Sequence, residues 1–128
     1  MTTTYVIDGA AVRGLADFWR VIGEAVNGPG GYFGRNFDAF ADCLSGGMGT
    51  PDDGDVVFEW RDHELSQAAL GHPETAQVFE SMLARAHPSN RASIGADLER
   101  ARAGEGPTLF DDLVALIEEA FPGRLRLR

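Results

Sequence analysis

Two short runs of β-branched and aromatic residues, separated by helical sequence, constrain the fold of this chain most strongly. The first run covers residues 4–7 and ends at Asp8-Gly9, which is a turn signal. The second run, residues 56–60, is almost continuously apolar, as is typical of a buried central strand. Because strands joined through helices normally run parallel, we expect a right-handed crossover and an α/β fold.

Apolar residues at three- and four-residue spacing predict the helices. The first predicted helix carries Leu15, Phe18, Trp19, Ile22 and Val26, and the others cover about 36–45, 62–70, 73–86 and 108–120. Thr108 with Asp111 predicts a cap for the last helix, and the alternating residues 124–128 predict a half-buried strand. We expect one domain over residues 1–128, with 88–107 as an insert that is mobile or forms a short surface helix.

Composition places the chain among globular proteins, since 44% of its residues are hydrophobic and 24% are charged. No apolar run reaches the ~18 residues of a membrane span, and the first residues lack the features of a signal peptide. The only cysteine, Cys43, has no partner for an internal disulfide. We therefore expect a cytoplasmic protein.

The negative charge is concentrated in one part of the chain. The net charge is −9, and residues 32–64 contain eight acidic side chains against two arginines. A focused negative field repels phosphate backbones and attracts cationic partners. We therefore expect a basic protein partner, and neither a nucleic acid nor a membrane.

Asp38 and Asp42 lie one turn apart on the helix predicted over 36–45. At about 100° per residue they share a face, opposite an apolar face that includes Phe40 and Leu44. The helix dipole favours Asp38, in the first turn, but disfavours Asp42 near the C-terminal end. Two aromatic residues, Tyr32 and Phe33, precede the helix in a glycine-flanked loop, where we expect both to be exposed. These residues by themselves support a binding face and a plain solvated surface equally well.

Residues 32–46 combine an aromatic pair, Gly, Asn, Asp and then Asp-Cys-Leu at fixed offsets: Tyr32-Phe33-Gly34, Asn36, Asp38 and Asp42-Cys43-Leu44. This combination resembles the signature of the barstar family of ribonuclease inhibitors. It continues in Val57-Phe58-Glu59-Trp60-Arg61. The resemblance covers about residues 4–70 and is looser beyond.

The resemblance implies an α/β fold with a small three-stranded parallel sheet packed by helices, here with an extended helical C-terminal half. It also implies that the second helix and its preceding loop block the cleft of a basic ribonuclease, one to one, as in an immunity protein. The implied contacts are Tyr32, Gly34, Asn36, Asp38, Asp42 and Gly46. Asp42 would be the anchor against the cations that hold the scissile phosphate, Asp38 would meet neighbouring base-recognising or guanidinium groups, and Tyr32 would stack on a catalytic histidine.

The sequence departs from the family pattern in three respects. Ala41 stands where the family often has tryptophan, Gly47 stands where its best-known member has a second one, and the C-terminal half is longer. These departures affect the identity of the target more than the mode of binding. The family also places an acidic contact on its last helix. Because that helix could be 74–86 or 109–120, the contact could be Glu80, Glu118 or Glu119.

Other functions have less support in the sequence. Cys43 falls beside Phe40 on the helix and is expected to be a small buried residue rather than a nucleophile, and the three histidines lack metal-ligand spacing. We therefore expect no enzymatic activity, no metal and no cofactor. The second hypothesis is a barstar-like immunity or adaptor module whose acidic face binds a different basic partner.

Overall fold

The computed structural model describes residues 1–128 and contains three strands and six helices. There are also two 3₁₀ turns, Gly9–Ala11 after the first strand and Pro88–Asn90 between the fourth and fifth helices. In chain order the elements are β1 (Thr3–Asp8), α1 (Leu15–Asn27), α2 (Phe37–Leu44), β2 (Val56–Arg61), α3 (His63–Ala69), α4 (His72–Arg85), α5 (Arg91–Arg102), α6 (Leu109–Ala120) and β3 (Leu125–Leu127).

The three strands form one parallel sheet in the order β1-β2-β3. Tyr5 is in register with Phe58, and Phe58 with Leu125. The α/β class, the parallel sheet and the central place of β2 are therefore confirmed. β2 is not buried on both faces, however: Val56, Phe58 and Trp60 are fully buried, whereas the alternate residues Val57 and Glu59 are partly exposed.

The buried face of the sheet carries an aromatic core shared with α1 and α2. Phe18 on α1 packs edge-on against Phe40 on α2 at 5.5 Å between ring centroids and lies 5.3 Å from Trp60 on β2. The Trp60 Nε1–H donates to Ser66 Oγ at 3.0 Å, and that hydroxyl donates to the Gly9 carbonyl at 2.8 Å. The aromatic contacts hold α2 against α1 and α1 against the sheet, and the two hydrogen bonds join α3 to β2 and to the turn after β1.

The C-terminal half adds α3 to α6. Residues 88–107 contain a 3₁₀ turn and the 12-residue helix α5, which packs against α4 and buries Leu98 and Ala101. The predicted cap of α6 is confirmed, because Thr108 and Asp111 form a reciprocal capping box. α6 lies beside α2 and leads directly into β3. The longest helix has 14 residues, and none is long and apolar enough to cross a membrane.

Candidate protein-binding site

Local interactions before α2 determine where that helix begins. Asn36 Oδ1 accepts a hydrogen bond from the Ala39 amide at 2.8 Å, which satisfies one of the free donors of the first turn. Gly34 has φ 94° and lies so close to α2 that a Cβ there would come within 2.7 Å of the Phe40 nitrogen. Only glycine fits this position without a shift of the backbone.

α2 presents two unpaired carboxylates to solvent. Asp38 and Asp42 are exposed, while Phe40, Cys43 and Leu44 on the other face are buried. Neither aspartate has an ion-pair partner in the structure. Their charges therefore remain available to a cationic partner.

The two aromatic residues of the preceding loop have different environments. Tyr32 is 42% exposed, but Phe33 is fully buried, with its ring 6.0 Å from that of Phe40. The interpretation of both as exposed aromatics was therefore wrong for Phe33, which anchors the loop in the core. The Arg35 guanidinium lies 6.0 Å from the centroid of the Tyr32 ring and is the one cation of this loop.

The loop after α2 contributes two further features. Gly46 is exposed with φ 124°, so the chain turns sharply at the end of the helix. Met48 is 40% exposed, although a large apolar side chain normally avoids water. No sequence pattern identifies Met48, since only the folded loop shows that its side chain lies outside the core.

α2 and α6 enclose an acidic groove, whose lining includes Asp38 and Ala41 from α2 and Asp112, Leu116 and Glu119 from α6. A second cavity continues past Ala41 and Glu119 to Asp52 and Gly46. The small side chain of Ala41 thus leaves space beside the exposed carboxylates.

The three candidates for an additional acidic contact lie in different places. Glu119 lines the groove beside α2. Glu118 Oε2 instead accepts a hydrogen bond from the Gly123 amide at 3.2 Å, and Glu80 on α4 pairs with Arg102 of α5 at 3.6 Å. Only Glu119 is therefore brought beside Asp38.

Asp112 is an acidic groove residue that the sequence analysis missed. Partial burial raises the pKa of its carboxyl, and the neighbouring charges of Asp111 and Asp97 raise it further. No sequence signal identifies it, because the effect depends on how deeply α6 packs.

Cys43 is buried, as predicted, at 3% exposure. Burial raises the pKa of its thiol, and the charge of Asp42 raises it further. A nucleophilic cysteine needs the opposite environment, one that stabilises the thiolate. The environment of Cys43 therefore disfavours the thiolate.

A family model described as "Barstar (barnase inhibitor)" matches residues 2–99. The chain belongs to the barstar family. The matched range contains the whole of α2 and both of its flanking loops, while α6 and β3 follow it. The predicted contact residues all lie within the matched range: Tyr32, Gly34, Asn36, Asp38, Asp42 and Gly46. The residues that α6 adds to the acidic groove lie outside it.

Proposed function

We propose that this protein is a cytoplasmic inhibitor of a basic, barnase-type ribonuclease and protects the cell that makes the enzyme. The observation that carries the proposal is the exposed, unpaired Asp42 on α2 of a barstar-family chain. Helix physics disfavours a carboxylate at this position, next to a second one at i,i−4. A cationic partner offsets this unfavourable electrostatic energy at Asp42.

In the proposed complex, α2 and the loop before it enter the active-site cleft of the ribonuclease. Asp42 binds the cations that otherwise hold the scissile phosphate, and Asp38 binds cationic groups beside them. Tyr32 supplies an aromatic face that is already exposed. Asn36, Gly34 and Gly46 complete the contact through polar groups and closely approaching backbone.

Glu119 is the proposed additional acidic contact. It lies across the groove from Asp38, so it reaches the same partner surface from a second helix. Glu80 and Glu118 are not proposed for this role, because their carboxylates already have partners within the chain.

The test is a titration of the protein into a barnase-type ribonuclease while RNA cleavage is followed. We expect stoichiometric inhibition at one to one. Asp42→Ala should weaken inhibition more than 100-fold, because breaking a buried ion pair costs about 3–5 kcal/mol when it leaves a charge unpaired. Glu105→Ala is the matched control, since it removes one exposed carboxylate and causes the same change in net charge.

Each result has a distinct meaning. Inhibition by the wild type and by Glu105→Ala, but not by Asp42→Ala, supports both the function and the anchor. Equal inhibition by all three proteins would remove Asp42 as the anchor. No inhibition by the wild type would overturn the proposal and favour an immunity or adaptor module with a different basic partner.

A further inference from the structure

One side chain joins the two loops that flank α2. Asn27 is the last residue of α1, and its Nδ2 donates a hydrogen bond to the Tyr32 carbonyl and another to the Met48 carbonyl, each at 2.8 Å. Tyr32 lies in the loop before α2 and Met48 in the loop after it. The loops are far apart in sequence but share this one donor group.

The chemistry of the two acceptors determines how the carboxamide is oriented. Both partners are backbone carbonyls, which only accept, so the amino group with its two hydrogens must face them. A hydroxyl offers one hydrogen and a carboxylate offers none. Asparagine is therefore suited to this position, because its short side chain can donate two hydrogen bonds from one nitrogen.

Two glycines allow the loops to approach Asn27 this closely. A Cβ at Gly49 would overlap the Asn27 carboxamide, and one at Gly31 would come within 2.7 Å of the Asn27 Cβ. The Tyr5 hydroxyl adds a hydrogen bond to the Gly49 carbonyl at 3.1 Å, from β1. Asn27 together with Tyr5, Gly31 and Gly49 thus forms a clamp that joins α1, β1 and both loops.

The clamp restrains the backbone at two residues whose side chains are exposed. Tyr32 and Met48 are both at least 40% exposed and stand at the two ends of the segment that carries Asp38 and Asp42. A rigid arrangement of such groups before binding reduces the entropy lost on association. The two hydrogen bonds from Asn27 restrain the backbone at both residues.

We propose that Asn27 is a positioning residue that preorganises the partner-binding surface by linking the loops on both sides of α2. This inference rests on the proposed function for its binding consequence, whereas its structural consequence exists in the free protein. Asn27 lies at the end of α1 and acts through Tyr32 and Met48.

The first test compares Asn27→Ala and Asn27→Asp in binding kinetics with a barnase-type ribonuclease. Asn27→Ala should dissociate about 5- to 30-fold faster, the size expected for two hydrogen bonds near the lower end of their usual net value. Asn27→Asp keeps the shape of the side chain but places a carboxylate oxygen against the two carbonyl oxygens. Because acceptors then face acceptors, this variant should dissociate from the ribonuclease faster still. Its added negative charge should leave association with a basic partner equal or faster. Wild-type dissociation rates in both variants would overturn the proposal.

The second test uses amide hydrogen exchange of the free protein. The Gly31 amide donates to the Gly28 carbonyl in the loop before α2, and the Gly46 amide, in the loop after it, donates to the Cys43 carbonyl at the end of α2. Both serve as reporters, with the Phe58 amide of β2 as the core reference. We expect faster exchange at the reporters in Asn27→Ala and an unchanged rate at the reference. Unchanged exchange at all three positions would overturn the clamp.

Ile7→Val is the matched control for general loss of stability, because Ile7 is fully buried on β1 and lies outside both loops. It should bind like the wild type. Equal weakening by Ile7→Val and Asn27→Ala would mean that stability, not loop position, controls binding, and would overturn the proposal. If the wild type binds no ribonuclease, the proposed function fails, while the exchange experiment still decides whether Asn27 orders the loops.

Discussion

Asn36 Oδ1 accepts a hydrogen bond from the backbone N–H of Ala39 at 2.8 Å, and this contact marks the start of the helix that carries Asp38 and Asp42. α2 has only eight residues, so a single capping interaction is a large part of its end stabilisation. The position of the acidic face thus depends on a residue in the loop before it.

Asn36→Ala should lower the free energy of unfolding by about 1 kcal/mol, the usual cost of a lost N-cap. Asn36→Ser keeps a capping oxygen and should lose only a small part of this stability. Urea denaturation of both variants measures the difference. Equal losses in the two variants would show that the cap does not stabilise the fold.

Asp42→Ala should leave the free energy of unfolding unchanged or raise it by a few tenths of a kcal/mol. The substitution removes the repulsion from Asp38 and replaces a poor helix former with the best one. Thermal or urea unfolding checks this result beside the inhibition assay. A strongly destabilised variant would make Asp42 a structural residue.

Arg35→Glu should accelerate association with a basic ribonuclease. Arg35 lies over Tyr32, in the loop proposed to face the partner, so its charge opposes the attraction of the acidic face. We expect an increase of a few-fold at low salt that shrinks as salt rises. Stopped-flow association rates measure it, with Arg91→Glu as the control of equal charge change on α5. The same acceleration by both variants would assign the effect to net charge rather than to position.

Asp112→Asn should raise the stability of the protein at neutral pH. The folded state raises the pKa of Asp112 above its ordinary value of 3.8 through burial and the charges of Asp111 and Asp97. Between the two pKa values the folded state binds more protons than the unfolded state, so stability falls as pH rises through this window. The gain from Asp112→Asn should therefore be present at pH 7 and disappear below about pH 3.8.

Urea denaturation across this pH range tests the Asp112 prediction. Asp111→Ala provides a contrast. The Asp111 carboxylate accepts a hydrogen bond from the Thr108 amide in the capping box, and its removal should destabilise the protein at neutral pH. A gain from Asp112→Asn that persists at low pH would mean that charge is not its cause.

Ser66→Ala should lower the free energy of unfolding by about 1–3 kcal/mol. The hydroxyl accepts a hydrogen bond from Trp60 Nε1–H, so its removal leaves that buried donor unsatisfied. The Gly9 carbonyl loses one hydrogen bond but keeps the one from the Val12 amide. A double-mutant cycle with Trp60→Phe isolates the Trp60 part through unfolding measurements. Fully additive losses would contradict a direct interaction between the two side chains.

Much of the fold was predictable because its signals are local. Thr108 and Asp111 predict their own cap, since both partners lie within one helical turn. The alternation of residues 124–128 predicts β3, and the spacing of Phe18 and Ile22 predicts the buried face of α1. These patterns depend on the periods of helices and strands, which a linear sequence shows directly.

The exposed face around α2 was only partly predictable, because a sequence shows a period only within helices and strands. Asp38 and Asp42 share a helix face, and the exposed position of that face follows from the helical period. Phe33 could not be separated from Tyr32, because adjacent residues in a loop have no fixed period. Phe33 is buried in the core, and Tyr32 is exposed.

By itself, the sequence determined the α/β class, the bounds of most elements and the acidic face of α2, because each depends on residues within a few turns of one another. The tertiary structure alone decided that Glu119, and neither Glu80 nor Glu118, lies beside that face, and that Asn27 reaches Tyr32 and Met48 together. These relationships join segments that are distant in the chain. Their distances are determined by how α1, α2 and α6 pack on the sheet, and no local pattern encodes that packing.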